Sequence, residues 1–208
     1  ALKTFCPNTG LIVSGPNCMG SMSFREKYFV YRNFPDSEIC TLSPGSVGGV
    51  FQSGGTLQVW ANSAADRGIR FSYLISSGNE LNLDLADYLN FLIDDEPTKI
   101  IVLFIEGIRR PEAFLAAAAR ALTMGKPIVV IKTGKSILSR ETAQSHSGAI
   151  SGDYDVFSAM CERYGIILCN SLDDIVEVTL ALLPGRLPKG RQVGIFTTSG
   201  GTVDMLHD

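Results

Sequence analysis

Along this chain, short unbroken apolar runs alternate with longer stretches whose apolar residues recur every three or four positions. The alternation is regular from Ser46 onward. Residues 47–52, 69–75, 99–105 and 127–132 read as strands. Between them, residues 54–67, 81–93 and 111–124 carry the 3.6-residue period of helices. That period puts Leu57, Trp60, Ala61 and Ala64 on one face of the first helix, and Leu85, Tyr88, Leu89 and Leu92 inward on the second. Pro111 in the first turn and Gly125 past the last punctuate the third. Residues 133–151 are polar and read as loop or short helix. Residues 153–164 read as helix, 166–169 as a short strand and 171–183 as a helix. A further strand is predicted over 193–197, with a new helix from Gly200. Ahead of Ser46 the only strand predicted is Leu11, Ile12 and Val13, running into a turn-rich loop over 14–20.

Strands that alternate with helices argue for an α/β architecture with a doubly wound parallel sheet. The strands are apolar throughout rather than at every second residue, as in a sheet covered on both faces. The expected organisation is a first partial unit at 1–32, a linker at 33–45 holding Pro35, Pro44 and Gly45, a main domain at 46–184, and a linker plus the start of another unit at 185–208. The chain opens on Ala1 rather than Met, and its last residues begin an element and stop, so it is expected to be cut from a longer protein.

Composition narrows the function classes. With 208 residues, 45% of them hydrophobic, the chain can bury a substantial core. Its 18 basic and 21 acidic side chains give a formal charge of −3, and the basic residues form no run, so nucleic acid is not an expected partner. No apolar stretch reaches the ~18 residues that span a bilayer, and no apolar h-region follows Lys3. The 5 cysteines, Cys6, Cys18, Cys40, Cys161 and Cys169, form no C-x-x-C pair. They read as reduced thiols of a cytoplasmic protein without a zinc site.

Few residues are candidates for chemistry. Of the 2 histidines, His207 is second from the end and tells little. His146 sits among small and polar neighbours, Gln144, Ser145, Ser147 and Gly148, which suits an exposed loop. A neutral imidazole can accept a phosphoryl group through one nitrogen while a hydrogen bond holds the other; an exposed surface histidine fits the same residues. Glu106 closes the most apolar strand, and ligands of open α/β sheets bind at the carboxyl ends of strands. It reads equally as a group that orients an imidazole or as a solvated strand end. Gln52-Ser53-Gly54-Gly55-Thr56 joins a strand to a helix, where glycines admit a ligand close to free N–H groups and the positive helix end. Thr198-Ser199-Gly200-Gly201 repeats that design. Thr133-Gly134-Lys135-Ser136 fails as a phosphate loop, because Val129 stands where its earlier glycine belongs. Neither a dinucleotide fingerprint nor a serine-hydrolase elbow is present.

These runs resemble, in order, the motifs of the NDP-forming acyl-CoA synthetases, the acid–CoA ligase family that includes the alpha subunits of ADP-forming acetyl-CoA synthetase and succinyl-CoA synthetase. Gly15-Pro16-Asn17-Cys18-Met19-Gly20 resembles the end of its CoA-binding domain, and Gln52-Ser53-Gly54-Gly55 its S-Q-S-G turn. Gly78-Asn79-Glu80, Ile105-Glu106-Gly107 and Lys126-Pro127 follow at family intervals, then the phosphohistidine loop around Ser145-His146-Ser147-Gly148-Ala149. The tail from Thr197 resembles the start of the next domain. The resemblance implies a flavodoxin-like ligase domain at 46–184, flanked by the remnant of a CoA-binding Rossmann-like domain and the start of a second ligase-CoA domain. It implies a phosphoryl carrier at His146, activated by Glu106. Phosphate contacts are implied from Ser53, Gly54, Gly55, Thr56, Ser147, Gly148, Ser199, Gly200 and Gly201, and CoA contacts from Asn17 and Cys18. CoA, a small carboxylic acid and a nucleotide are the implied substrates. ATP or ADP and Mg would be held mainly by an ATP-grasp domain or subunit outside this chain, in a cytoplasmic homo- or hetero-oligomer with no membrane or nucleic-acid partner. Ser147 stands where the family has Thr, Thr198 where it has Asn, and Thr202-Val203 where it has Pro-Gly. The Gly-rich CoA phosphate loop and the ATP-grasp domain are not in the chain, so these residues alone are expected to be incomplete and inactive. The alternative is a ligase-like regulatory, ligand-sensing module of a protein acyltransferase, although such modules lack the loop histidine. A flavin-binding module is disfavoured, as no aromatic pair sits at a strand–helix loop.

Overall fold

A computed structural model of the chain describes residues 6, 9–32, 38–136, 154–186, 190, 192 and 194–207. Its centre is a 7-stranded sheet. The strands are β1 (Gly20–Ser23), β2 (Tyr28–Tyr31), β3 (Val47–Phe51), β4 (Phe71–Ser76), β5 (Ile100–Ile105), β6 (Ile128–Lys132) and β7 (Ile167–Leu168), in the order β2-β1-β4-β3-β5-β6-β7. β4, β3, β5, β6 and β7 run parallel, and β1 and β2 form an antiparallel hairpin on the β4 edge. The fold class is therefore a doubly wound, mostly parallel sheet in the flavodoxin-like order.

The helices are α1 (Gly54–Asp66), α2 (Leu85–Asp94), α3 (Pro111–Thr123), α4 (Tyr154–Tyr164), α5 (Leu172–Leu182) and α6 (Gly200–His207). Their ends carry the chemistry that starts and stops helices. Ser53 caps α1 by accepting from the Thr56 amide. Asp84 with Asp87, and Ser171 with Asp174, form reciprocal capping boxes on α2 and α5. Pro111 opens α3, and Gly125 follows it at φ 67°, in the left-handed region that glycine enters without strain.

Because β5 is buried on both faces, the core has two halves. α1 and α5 cover one face of the sheet, where Leu57, Trp60, Ala61, Ala64, Ile175 and Val176 pack. α2, α3 and α4 cover the other through Leu89, Leu92, Phe114, Ala117 and Phe157. Every inward residue predicted for the first two helices is buried. Two glycines, Gly48 and Gly49, let both layers approach the central strand. A Cβ at Gly49 would stand 2.9 Å from the Trp60 ring, and one at Gly48 2.9 Å from Leu92. Beyond the sheet's other end, the buried Lys126 ammonium donates to the carbonyls of Leu92, Ile93 and Asp95 and so closes the C-terminus of α2. Burial lowers its pKa.

Two sequence expectations are corrected. Leu11, Ile12 and Val13 form no strand; this stretch bonds a loop instead, with the Val13 carbonyl accepting from the Leu83 amide and the Val13 N–H donating to the Asn82 Oδ1. The described residues of 193–197 form no strand either. Strand backbone needs a neighbouring strand to pair with, and among the described residues these have none. The hairpin of β1 and β2 has no counterpart in the sequence expectation.

Candidate active site at the carboxyl edge of the sheet

The chain runs from β3 outward to β4, then crosses to β5 on the other side of β3. β3 and β5 are thus neighbours whose onward connections diverge: α1 goes to one face and α3 to the other. Such a switch point opens a crevice at the strands' carboxyl ends. Gln52 to Thr56 line it from β3 and Glu106 to Arg109 from β5, so the sheet brings together Glu106 and the first glycine turn. Thr133 and Gly134 leave β6 at the same edge.

Glu106 is half-buried and its main chain is held from both sides. The Gln52 Oε1 accepts from the Glu106 amide at 2.5 Å and the Gly107 amide at 3.0 Å, while Gln52 Nε2 donates to the Gly107 carbonyl at 2.7 Å. From β6, the buried Lys132 ammonium donates to the carbonyls of Glu106 at 2.9 Å and Thr133 at 2.8 Å.

At the start of α1, Ser53 and Thr56 share a hydroxyl hydrogen bond of 2.8 Å. The amides of Gly54 and Gly55 occupy the first helical positions, where no intrahelical acceptor exists. A side chain on Gly55 would meet nothing within 4 Å. Gly54 has a packing reason as well: a Cβ there would stand 2.4 Å from Met19, and its carbonyl accepts from the Tyr31 hydroxyl.

Asn17 and Cys18 lie on the loop that docks beside this edge. Asn17 Nδ2 donates to the Asn79 side chain at 3.3 Å, and the Asn79 and Leu81 amides donate to the Pro16 and Gly15 carbonyls. Cys18 is half-buried with a free thiol. In the same 77–80 loop, Glu80 is 2% exposed at φ 51°. Its Oε1 accepts from Ser77 at 2.8 Å, and its Oε2 is buried without a hydrogen-bond partner. Burial raises its pKa, outweighing the Gln52 side chain, the Ser77 hydroxyl and the Leu85 amide, which favour the charged form. Arg109 donates to the Asn79 carbonyl at 2.5 Å, tying this loop to the one after β5.

His146, Ser147 and Gly148 lie outside the described residues. Their flanks are the carboxyl end of β6 and the start of α4, where Lys135 stands 5.5 Å over the Tyr154 ring. Ser199, Gly200 and Gly201 do open a helix, α6, and are exposed. Among the described residues no hydrogen bond joins them to the Glu106 edge. No group of three or more His, Cys, Asp or Glu among the described residues is placed to hold a metal ion, and no described helix is long and apolar enough to cross a membrane.

Sequence reasoning missed Gln52 as a side chain, Lys132 and Glu80. In the turn that holds Gln52, the recognisable pattern is carried by the glycines. The signal for Lys132 was available: a lysine ending a strand of a sheet covered on both faces must be buried, and a buried cation needs acceptors.

With fold and edge in place, comparison with known proteins gives the class. Residues 44–182 match the family described as the succinyl-CoA ligase like flavodoxin domain, and the chain belongs to that family. Among its relatives are a trans-feruloyl-CoA synthase from an unknown prokaryotic organism, 35% identical over 100% of this chain and 29% of that protein, and the alpha subunit of ADP-forming acetate–CoA ligase II from Pyrococcus furiosus, 32% identical over 92% of this chain and 40% of that subunit. A solved structure of dinucleotide forming acetyl-coenzyme A synthetase 1 from Ca. Korarchaeum cryptofilum, in complex with phosphate and ADP, superposes with a TM-score of 0.82 at 29% identity, over 91% of this chain and 40% of that one. The chain spans less than half the length of these relatives.

Proposed function

We propose that this chain is the phosphoryl-carrying part of an NDP-forming acid–CoA ligase, which converts an acid, CoA and a nucleoside triphosphate to acyl-CoA, the diphosphate and phosphate. One observation supports it above the others: Glu106, its main chain gripped from both neighbouring strands, follows β5 at the switch-point edge where α1 also starts. That is the equipment phosphoryl transfer needs, positioning and stabilisation of negative charge.

In the proposed reaction an imidazole nitrogen of His146 attacks the γ-phosphorus and the diphosphate leaves. The acid's carboxylate then attacks the phosphohistidine phosphorus, giving an acyl phosphate and freeing the imidazole. The CoA thiol attacks the acyl carbon, releasing phosphate and a proton. Glu106 accepts the hydrogen bond of the imidazole's other N–H and favours its charged form. The start of α1, with Ser147 and Gly148, holds the phosphoryl oxygens, and Ser199 to Gly201 supply a second helix start. Asn17 and Cys18 face CoA, and nucleotide and Mg belong to an ATP-grasp domain or subunit. Residues 1–32 close a CoA-binding domain, 33–45 link it onward, 46–184 form the ligase domain and 185–208 lead into a second ligase-CoA domain. The hairpin of β1 and β2 is then where the first unit is fastened to the sheet of the second.

The test uses the full-length protein that contains this chain, with its nucleotide-binding subunit where that is separate. Incubation with γ-labelled nucleotide is expected to give acid-labile, base-stable label that His146→Asn abolishes and Glu106→Gln slows at least about 100-fold. Label that survives His146→Asn overturns the reading.

A further inference from the structure

We propose that Gln52 is a positioning residue for Glu106: its carboxamide replaces the peptide group that β3 no longer supplies, and holds the Glu106 main chain where the carboxylate can work. The inference rests on the reading of Glu106 given above.

β3 ends at Phe51, and the Gln52 amide makes the last ladder bond to β5, donating to Phe104 at 3.1 Å. The chain then turns to cap α1 with Ser53, so β3 has no backbone left to pair with Glu106 and Gly107. This is the place where the two strands' connections part toward opposite faces. The Gln52 side chain spans the gap. A carboxamide has a carbonyl and N–H groups in one plane, as a peptide does, and it uses both. The oxygen takes the amides of Glu106 and Gly107, and the nitrogen gives to the Gly107 carbonyl.

Lys132 holds the Glu106 carbonyl from the far side. The N–H and C=O of Glu106 are thereby both committed, to different strands, leaving only its side-chain torsions to vary. Glu80 stands behind Gln52, and the Gln52 side chain is among the groups favouring its charged form. Gln52 thus lies between a buried carboxylate that cannot reach solvent and a half-buried one that lines the crevice.

Displacement of a catalytic group by about 1 Å can cost about 100-fold in rate. Gln52→Met keeps the length and removes the hydrogen bonds. In the full-length protein it is expected to slow acid-labile labelling by about 10- to 100-fold. The discriminating readout is the combination with Glu106→Gln: if Gln52 acts through Glu106, adding Gln52→Met to Glu106→Gln causes no further loss. A merely structural role makes the two losses multiply, and that result overturns the proposal. Gln52→Glu is the second variant, useful if Gln52→Met does not fold. Its carboxylate accepts but cannot donate to the Gly107 carbonyl, so its labelling rate relative to wild type is expected to rise as pH falls and the new carboxyl gains a proton. A ratio independent of pH counts against the proposal. Wild-type labelling by Gln52→Met beside a crippled Glu106→Gln defeats this inference alone. Wild-type labelling by Glu106→Gln defeats the reading of Glu106 and this inference with it.

Discussion

Two acidic residues four positions apart, Glu80 and Asp84, meet opposite fates because one has a cation beside it and the other does not. Burial opposes ionisation of Asp84, but Arg110 donates to both its oxygens, and the Ala86 and Asp87 amides add to this, so its pKa lies below the usual range. Glu80 has no cation beside it among the described residues, and burial raises its pKa despite the Gln52 side chain, the Ser77 hydroxyl and the Leu85 amide. A raised native pKa means that the folded state binds the proton more tightly than the unfolded chain. The associated stability is complete below the unfolded value, about 4.3, and is lost as pH rises through the native one. Glu80→Gln imitates the protonated form. It is expected to be more stable than wild type at neutral pH, by about 1 kcal/mol or more, with the difference vanishing below about pH 4. Urea midpoints measured across that range check it, and a variant less stable at pH 7 would show that the carboxylate has a favourable partner.

Among the elements, the helices were legible because their periodicity reports burial directly. Leu57, Trp60, Ala61 and Ala64 pack as the pattern requires, and boundaries fell within a few residues wherever a serine, aspartate, proline or glycine marked them. β1 and β2 were not legible. Gly20 to Ser23 and Tyr28 to Tyr31 are short and mix polar with aromatic residues; β1 acquires strand geometry from pairing with β4, a partner far along the chain, and β2 from pairing with β1. The close approach of both helical layers to β3 also leaves a testable mark. Gly49→Val puts carbon atoms into the space of Trp60 and Leu74 and is expected to destabilise by about 1–3 kcal/mol, read as a lowered urea midpoint. An unchanged midpoint would mean that Trp60, stacked on Phe51 at 5.0 Å, can shift freely.

At the scale of the molecule, the fold was readable because a parallel sheet writes continuous apolar strands between amphipathic helices. The candidate site was readable only in part. Motif order pointed to Glu106 and the Ser53 turn, and the strand order shows why they meet: β3 and β5 flank the switch point. Burial of Lys132 follows from its strand, but which groups it and Gln52 hold does not, because the cradle is made of contacts between strand ends, which no local pattern encodes. A regulatory module could share the fold and even the crevice. What separates it from a ligase is whether a phosphoryl group stops on the histidine. The most direct measurement is therefore to phosphorylate the full-length protein with labelled nucleotide, digest it under alkaline conditions, and locate the phosphate by peptide mass spectrometry. The account predicts phosphate on His146 in the peptide containing Ser145 and Ser147, labile to acid and discharged by acid substrate plus CoA; phosphate on a serine or threonine, or none on this peptide, would contradict it.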